Sequence, residues 1–595
     1  MSNSNLEEKK LLINKLVNSG INITPSILDF VLKLDNPLKK ISLIIKEMSF
    51  SPTFNSHLTE EQLKKISNEE ILNALKRVLI KDNSLPIEVN SNEKLNSNAN
   101  IRNRTNIKEA NLIKSRISAE RPNILEINNS VKDEDKNTQI FSHKQFILHD
   151  KKKSEKKFKP IGSAKSSLTF KPIAKNYNAE FKILKDPTGK LYTSGSYEDF
   201  QELTLDKYNR LYKLMKKRPE AFSVAKINNI LRNTQNQYLS AAGLVNEIRQ
   251  TKKGNFLITI EDQTGYLNII VRKDSENRRI AERIVEDEMI LVEGTYNPGE
   301  RGKRGVLFAD NILKIDIPIN YETNKSTEPL SIALISDTHI GSKEFEEKLW
   351  LKFINFLNGK IGNKTWREIA GKVKYLIING DLVDGIGVYP NQQEDLILPD
   401  IYQQFDKASE YISDIPDYIK IFYSSGNHEP VRNAIPRPAV PKKYAEKLLN
   451  IGVKCIGNPA IIKTHNVETL IYHGDSILDM SLSISDLDQK KPIEIMEEFL
   501  KCRHLAPIYG KKTQIAPTNK DWLTIDQIPD VFHTGHIHIN GLGYYNNIAL
   551  VNSGCFQSQT EFMRSLGITP TPGIVSIIEL DTLKFKGPLD FKKIK

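Results

Sequence analysis

The sequence predicts a multidomain protein: a small α-helical N-terminal domain, a disordered linker, a β-barrel, and a C-terminal α/β/α sandwich. Three observations lead there. The chain has 595 residues, room for three or four domains at the usual size of roughly 100 to 200 residues each. Its apolar period changes along the chain, from helical spacing near the start, to alternation in the middle, to near-continuous apolar runs beyond residue 331. Between the first two lies a long polar stretch whose apolar residues are too sparse to offset the entropy of ordering.

Residues 1–82 carry helix punctuation. Thr24 and Pro25 read as N-cap and first helical residue before "SILDFVLKL", and Thr59 with Gln62 forms a capping box before Leu63, Ile66, Ile71, Leu72 and Leu75. Residues 83–175 turn to Asn, Ser, Lys and Glu, ending in "KKKSEKKFKP", and read as a flexible linker. Its lysines suit contact with nucleic acid or plain solvation of the linker. Residues 176–237, with "EDFQELTLDKYNRLYKLM", form a helical lead-in.

Residues 238–318 alternate: "YLSAAGLVNEIRQ", "NFLITIEDQTGYLNIIVRK", then the helical "ENRRIAERIVED", "MILVEGTYN" and "GVLFADNILKIDIP". The second stretch is a hairpin turning at Asp262 to Gly265, because alternating apolar runs flank a polar tetrad ended by glycine. Five short strands with one helix after the third match an oligonucleotide-binding (OB) barrel. Phe256 and Tyr266 could stack bases there, or fill the barrel or face a protein partner. From 331 to 595 the runs "SIALISD", "VKYLIING", "IKIFYSSGN" and "ETLIYHGD" suit strands covered on both faces and separated by helices, hence the sandwich.

Charge and cysteines narrow the class. The chain carries 85 Lys and Arg against 73 Asp and Glu, a net +12, which favours an anionic partner such as nucleic acid, although a lysine-rich composition alone gives the same balance. Three cysteines without a C-x-x-C pair argue against a disulfide framework or a cysteine zinc site and point to a reducing compartment. The start lacks a signal-peptide pattern and no run of 18 apolar residues occurs, so a cytoplasmic, soluble protein without a membrane partner is expected.

The C-terminal strands share one property: each stops at a side chain that can ligate a metal. "SDTH" supplies Asp337 and His339, "NGDLVD" Asp381, "SGNHEP" Asn427 and His428, "YHGD" His473, and "HTGHIHING" His536 and His538. His536 and His538, two apart in a segment read as extended, would project to the same side. Each residue has a plainer reading. Asp337 could cap a helix, Asp381 could be a turn residue after Gly380, and His473 a buried, satisfied histidine. Loops at one edge of a sheet share one crevice, however, so the coincidence of all of them at strand ends favours a single metal site.

The order D-x-H, G-D-x-x-D, G-N-H-E, H-G, G-H-x-H resembles the calcineurin-like metallophosphoesterase superfamily across 331–560. "GNHEPVRNAIPRPAVP", "CRHLAPIYG", "DVFHTGHIHING" and "QTEFMRSLGITPTPG", with an OB barrel and helical lead-in ahead of them, are similar to the small subunits of archaeal family D DNA polymerases, over about residues 177–585. Glu429 stands where many relatives have Asp, and Asp475 adds a negative charge beside His473. The resemblance implies two divalent cations, one held by Asp337, His339, Asp381 and His538, the other by Asp381, Asn427, His473 and His536, with Asp381 as bridge. His428 is implied as the residue that stabilises the transition state or protonates the departing 3′-oxygen. Mixed nitrogen and oxygen donors leave Mn²⁺, Fe²⁺, Zn²⁺ and Mg²⁺ open, and the resemblance favours Mn²⁺.

The activity so implied is a proofreading 3′→5′ exonuclease acting on single-stranded or mismatched DNA ends. The implied partners are DNA, a large polymerase subunit that carries the nucleotide-adding chemistry, and a sliding clamp. A non-catalytic scaffold, of the kind found among eukaryotic polymerase accessory subunits, is the alternative from another class, although those relatives have lost ligands that are all present here. A recombination or repair nuclease shares the motifs but starts with the phosphoesterase domain and lacks the barrel. A phosphoprotein phosphatase is disfavoured by the basic charge.

Overall fold

A computed structural model describes residues 170–299 and 304–594, together with a few positions between 22 and 58. In the N-terminal unit, residues 1–153, the strands Asn22–Ile23 and His57–Leu58 pair in parallel. Val31, Leu32, Pro37, Lys39, Lys40, Ile41 and Ile44 are in helical conformation, while the rest of the expected helical domain, and all but the last residues of the expected linker, lie outside the described residues. No described helix is long and apolar enough to cross a membrane.

The alternating stretch forms a closed five-stranded barrel. Gln237–Gln250 pairs antiparallel with Phe256–Asp262 on one side and with Met289–Asn297 on the other, while Val306–Lys314 joins Gly265–Val271 in parallel to Met289–Asn297. The hairpin of Phe256–Asp262 and Gly265–Val271 turns at Gln263 and Thr264, with Asp262 paired to Gly265. Alternate residues such as Ile258, Ile260, Leu267, Ile269, Val292 and Leu307 point inward and are fully buried. Phe256 packs against this core beneath the Arg278 guanidinium, whereas Tyr266 is 54% exposed.

The lead-in helix Tyr197–Met215 begins at a capping box, in which Ser196 accepts from the Asp199 amide and the Asp199 carboxylate accepts from the Ser196 amide. It buries Leu211, Leu214 and Met215 against Leu244, Met289 and Leu291 of the barrel. The lead-in is not wholly helical: Phe181–Lys185 pairs antiparallel with Ala460–Thr464 as the edge strand of a sandwich sheet. A buried ion network ties barrel to sandwich. Lys314 Nζ lies 3.0 Å from Glu288 and 3.2 Å from Glu498, and Arg283 reaches Glu498 and Asp486.

The C-terminal domain departs from the expected α/β/α layering. It has two six-stranded sheets packed face to face, with helices on the outer faces, hence four layers. Near-continuous apolar runs report burial on both faces but not what covers each one. One sheet runs Lys454–Ile456, Lys420–Ser424, Val373–Asn379, Ser331–Ile335, Ile574–Glu579, Leu589–Asp590, the first four strands parallel. The other runs Gly541–Tyr545, Ile548–Asn552, Val531–Thr534, Val467–Ile471, Ala460–Thr464, Phe181–Lys185. Between them lie Ile332, Leu334, Ile377, Phe422, Ile471, Val531 and Val551. Helices Glu347–Leu357, Ile401–Ser413 and Lys442–Asn450 bury their apolar faces on the first sheet, and Ile477–Ser483 and Pro492–Cys502 on the second.

Candidate metal centre

Strands from both sheets end at one rim, and the loops that follow them aim polar side chains at a common point. Asn379, at the end of its strand, stitches the sheets together there: its Nδ2 donates to the carbonyls of Tyr472 at 2.9 Å and His533 at 3.1 Å. The loops turn abruptly. Asp337, His339, Asp381, His536 and His538 all have φ between 52° and 70°, the left-handed region, in which Asp, Asn and His are the least disfavoured side chains. Glycine is required where loops nearly touch, since a Cβ on Gly426 would overlap the Asp381 carboxylate and one on Gly535 the Asp337 carboxylate.

All eight residues singled out in the sequence meet in this cluster. Oδ2 of Asp381 lies at its centre, 3.1 Å from His473 Nε2 and 3.9 Å from both His339 Nε2 and His428 Nε2. To one side Asp337 Oδ1 is 3.3 Å from His538 Nε2, which is 3.1 Å from His339 Nε2. To the other, His473 Nε2 is 3.1 Å from Asn427 Oδ1 and 3.3 Å from His536 Nδ1. His536 and His538 therefore do not project together from an extended segment. Their positive φ values send them to opposite ends of the cluster.

The outward nitrogens fix the inward ones. Nδ1 of His473 donates to the Asn379 carbonyl at 2.8 Å and Nδ1 of His428 to the Asp384 carbonyl at 2.6 Å; a carbonyl can only accept, so these nitrogens carry the proton and Nε2 faces the cluster. Nδ1 of His339 meets the Asp384 carboxylate at 2.9 Å, with the same result. Lone pairs and carboxylate oxygens thus converge without enough donors among them, and Asp337 Oδ1 is buried without a hydrogen-bond partner. Such an arrangement is costly unless cations or protons lie between the groups. Among the described residues three sets of three ligand atoms are compact enough to hold an ion: Asp337 with His339 and His538, Asp381 with His473 and His536, and, sharing a residue with each of these, His339 with Asp381 and His428.

Burial pushes Asp381 upward, but His473 and His428 hold its carboxyl well below the usual range. Against its own burial, His473 is lifted to about 10 by Asp381. Against its burial, His538 is held well above its usual range by Asp337, so it, like His473, keeps a proton that it would release to bind a cation. Burial, then neighbouring His473, brings His536 down to about 4, so it is neutral and free to ligate. His339 is lowered by burial and by His428.

Supporting residues less visible in the sequence complete the site. Glu429, one carbon longer than Asp, accepts from the backbone amides of Asp381, Leu382 and Gly426 at 3.0, 2.8 and 2.6 Å, and so clamps two ligand loops together. Asp475 is neutralised by fully buried Arg437, which forks onto it at 2.5 and 3.0 Å. Asp384, the second aspartate of "NGDLVD", orients His339 and His428 together and is itself held by Gln392 and Gln557. Its spacing in G-D-x-x-D was the available signal. The cluster floors a cleft of about 400 Å³ whose walls include Tyr389, Leu482, Lys512, Phe562 and Leu566.

Comparison with known proteins places this geometry in context. Residues 332–539 match the family model of the B-type accessory subunits of DNA polymerases alpha and epsilon, and residues 239–315 match an OB-fold nucleic acid binding domain. The chain is 39% identical over 409 residues to the DNA polymerase II small subunit of Methanothermobacter thermautotrophicus, covering 68% of this chain and 82% of that one. It is also 39% identical to the subunits of that name from Archaeoglobus fulgidus, covering 68% and 81%, and Pyrococcus furiosus, covering 66% and 64%. With identity at this level over two thirds of its length, the chain belongs to the archaeal family D polymerase small subunits, the DNA polymerase II small subunits.

Proposed function

We propose that the C-terminal sandwich is a calcineurin-like phosphoesterase domain and that this small subunit carries a metal-dependent 3′→5′ exonuclease which proofreads for its polymerase. The observation that carries the reading is Asp381 Oδ2, a single buried carboxylate oxygen facing three imidazole nitrogens from three loops. Asp337, His339, Asp381 and His538 would hold one divalent cation and Asp381, Asn427, His473 and His536 a second, with Mn²⁺ the favoured ion. Such a pair supplies a water of lowered pKa and neutralises charge on the oxygens of a phosphodiester.

The chain's own groups do the rest. His428 is fixed twice, its amide donating to Asp381 Oδ1 at 3.0 Å and its Nδ1 to the Asp384 carbonyl. Its Nε2 faces the cleft, where the ring, as an imidazolium with its second proton on that nitrogen, would stabilise the charged transition state or hand that proton to the departing 3′-oxygen. Lys512, on the cleft wall, supplies positive charge for a neighbouring phosphate. The large subunit implied by the relatives' names would be the polymerising partner, with the barrel and its ion-paired junction to the sandwich offering it a rigid surface. Nucleic acid and a sliding clamp are the other proposed partners.

The test is digestion of labelled primers by the purified chain, alone and with its large subunit, in Mn²⁺ and in EDTA. Mismatched and single-stranded 3′ ends should be shortened in Mn²⁺ only. Digestion that ignores the chelator, or none in either preparation, rejects the reading and leaves a scaffold.

A further inference from the structure

The cleft above the histidine cluster is not walled as a simple phosphate site would be. Histidines aside, Lys512 is the one basic side chain along its described wall. Beside polar Gln489 and Thr560, much of the wall is apolar and open to solvent: Leu482 is 65%, Leu566 50% and Phe562 47% exposed. Tyr389 lies against Phe562 with ring centroids 5.3 Å apart and planes 11° from parallel, and its ring is tilted toward His428 at 6.5 Å between centroids. Both aromatics are held. The Tyr389 hydroxyl donates to Asp395 at 3.0 Å, and Phe562 sits in the first turn of a helix capped by Thr560. An exposed apolar patch that runs directly into a site for anions calls for a ligand with both characters.

We propose that the Tyr389–Phe562 pair, with Leu482 and Leu566, seats an unpaired nucleobase: the terminal base of a DNA 3′ end whose phosphodiester lies at the histidine cluster. The proposal rests on the nuclease reading and adds its substrate selection. Every base has a π-face that stacks on an aromatic ring, which is worth about 5- to 150-fold in affinity per base and is indifferent to sequence. A base inside a duplex has both faces covered by its neighbours. A paired terminal base must leave its partner to reach Phe562 while its phosphodiester lies at the cluster, and that step costs least at a frayed, mismatched or single-stranded end. The aromatic pair therefore distinguishes unpaired from paired ends while leaving the metal ligands to act on either.

The experiment uses the full chain assembled with its large subunit and a short single-stranded oligonucleotide ending in 3′-terminal 2-aminopurine, first in EDTA. Binding should quench the fluorescence, as stacking does. Phe562→Ala and Tyr389→Leu should each restore emission and weaken binding by about 5- to 150-fold, whereas Phe222→Ala, an exposed aromatic outside the cleft, should change neither. In Mn²⁺ the two cleft variants should lose preference for mismatched over paired ends. A terminal base that stays bright when bound, an oligonucleotide that fails to bind, or quenching unaltered in both cleft variants overturns the platform. Quenching without Mn²⁺-dependent cleavage would instead overturn the nuclease reading and leave the platform standing.

Discussion

Asp384→Asn removes one charge and almost no volume, yet it should weaken cation binding more than its distance from the cations suggests. One carboxylate oxygen accepts from His339 Nδ1 at 2.9 Å and Gln557 Nε2 at 3.1 Å, the other from Gln392 Nε2 at 2.9 Å. All these partners donate, so the amide NH₂ of asparagine must face at least one of them. If it turns to Gln392, that side chain cannot flip without giving up the Val388 amide, which its Oε1 accepts at 2.8 Å. If it turns to His339, the ring loses the acceptor that fixes its tautomer. A buried donor left unpaired costs about 1 to 3 kcal/mol, and loss of a group that orients a metal-ligating histidine costs about 10- to 100-fold in metal affinity. Calorimetric titration of chelator-stripped protein with Mn²⁺ should show that loss, and thermal unfolding in EDTA should show a smaller one. Mn²⁺ affinity within twofold of the parent would refute the reasoning, because Asp384 would then not be what holds His339 in place.

Three further outcomes follow from the same geometry. His428→Ala should keep Mn²⁺ content, measured by elemental analysis, but lose about 10²- to 10⁴-fold in turnover on mismatched primers; unchanged turnover removes His428 from the reaction. Asp381→Ala should lose bound metal outright, and a variant that still binds two ions with parent affinity would show that Asp381 is no bridge. Asp475→Asn should unfold more easily in urea by about 3 to 5 kcal/mol at neutral pH, since Arg437 is then buried without its partner. Burial pushes Asp475 up, yet Arg437 holds it down to about 2. Its stabilising effect is therefore full above the ordinary aspartate pKa and lost as pH falls through about 2, so the gap between parent and variant should close across that acidic window. A gap that persists to the lowest pH contradicts the ion-pair account.

How much was legible in the sequence depended on how locally each feature is encoded. The barrel was legible because alternation and a polar turn are properties of a few adjacent residues, and the hairpin turns where Gln263 and Thr264 say it should. The eight cluster residues were legible because each follows an apolar run immediately, and a strand end is a place where chemistry collects. What was hidden is non-local. Apolar runs such as Val467–Ile471 cannot reveal that their neighbour is a second sheet and not a helix, and Phe181–Lys185 joins that sheet across more than 270 residues of chain. The bearing of Arg437 and Gln557 on the site was invisible for the same reason, and Glu429 was legible only as the last residue of G-N-H-E, its clamp on two loops being hidden. Left-handed φ at His536 and His538 was the remaining surprise: alternation assigns extended backbone to any such run, and only the packed loops impose the reversal.

That backbone strain bears on the choice between nuclease and scaffold. A left-handed residue other than glycine costs about 1 to 2 kcal/mol, and less for Asp and His than for most, so the five such residues in the cluster together cost about 5 kcal/mol. The converging lone pairs and the orphaned Asp337 oxygen add to it. A folded domain has only about 5 to 15 kcal/mol of net stability, and strain of this kind persists only where surrounding structure enforces it. Glu429 and Asp384 supply that enforcement, and both are buried. A scaffold needs neither the strained turns nor the clamps, because its contacts lie on its surface and glycine or asparagine at these turns would relax them. Cation binding changes the balance, since each ion attracts the donors that otherwise repel one another and so stabilises the strained loops. The strain is accounted for if the cluster holds ions. The sharpest consequence is thermal: adding Mn²⁺ to the stripped parent should raise its unfolding temperature, and adding it to Asp381→Ala should not, whether or not the large subunit is present.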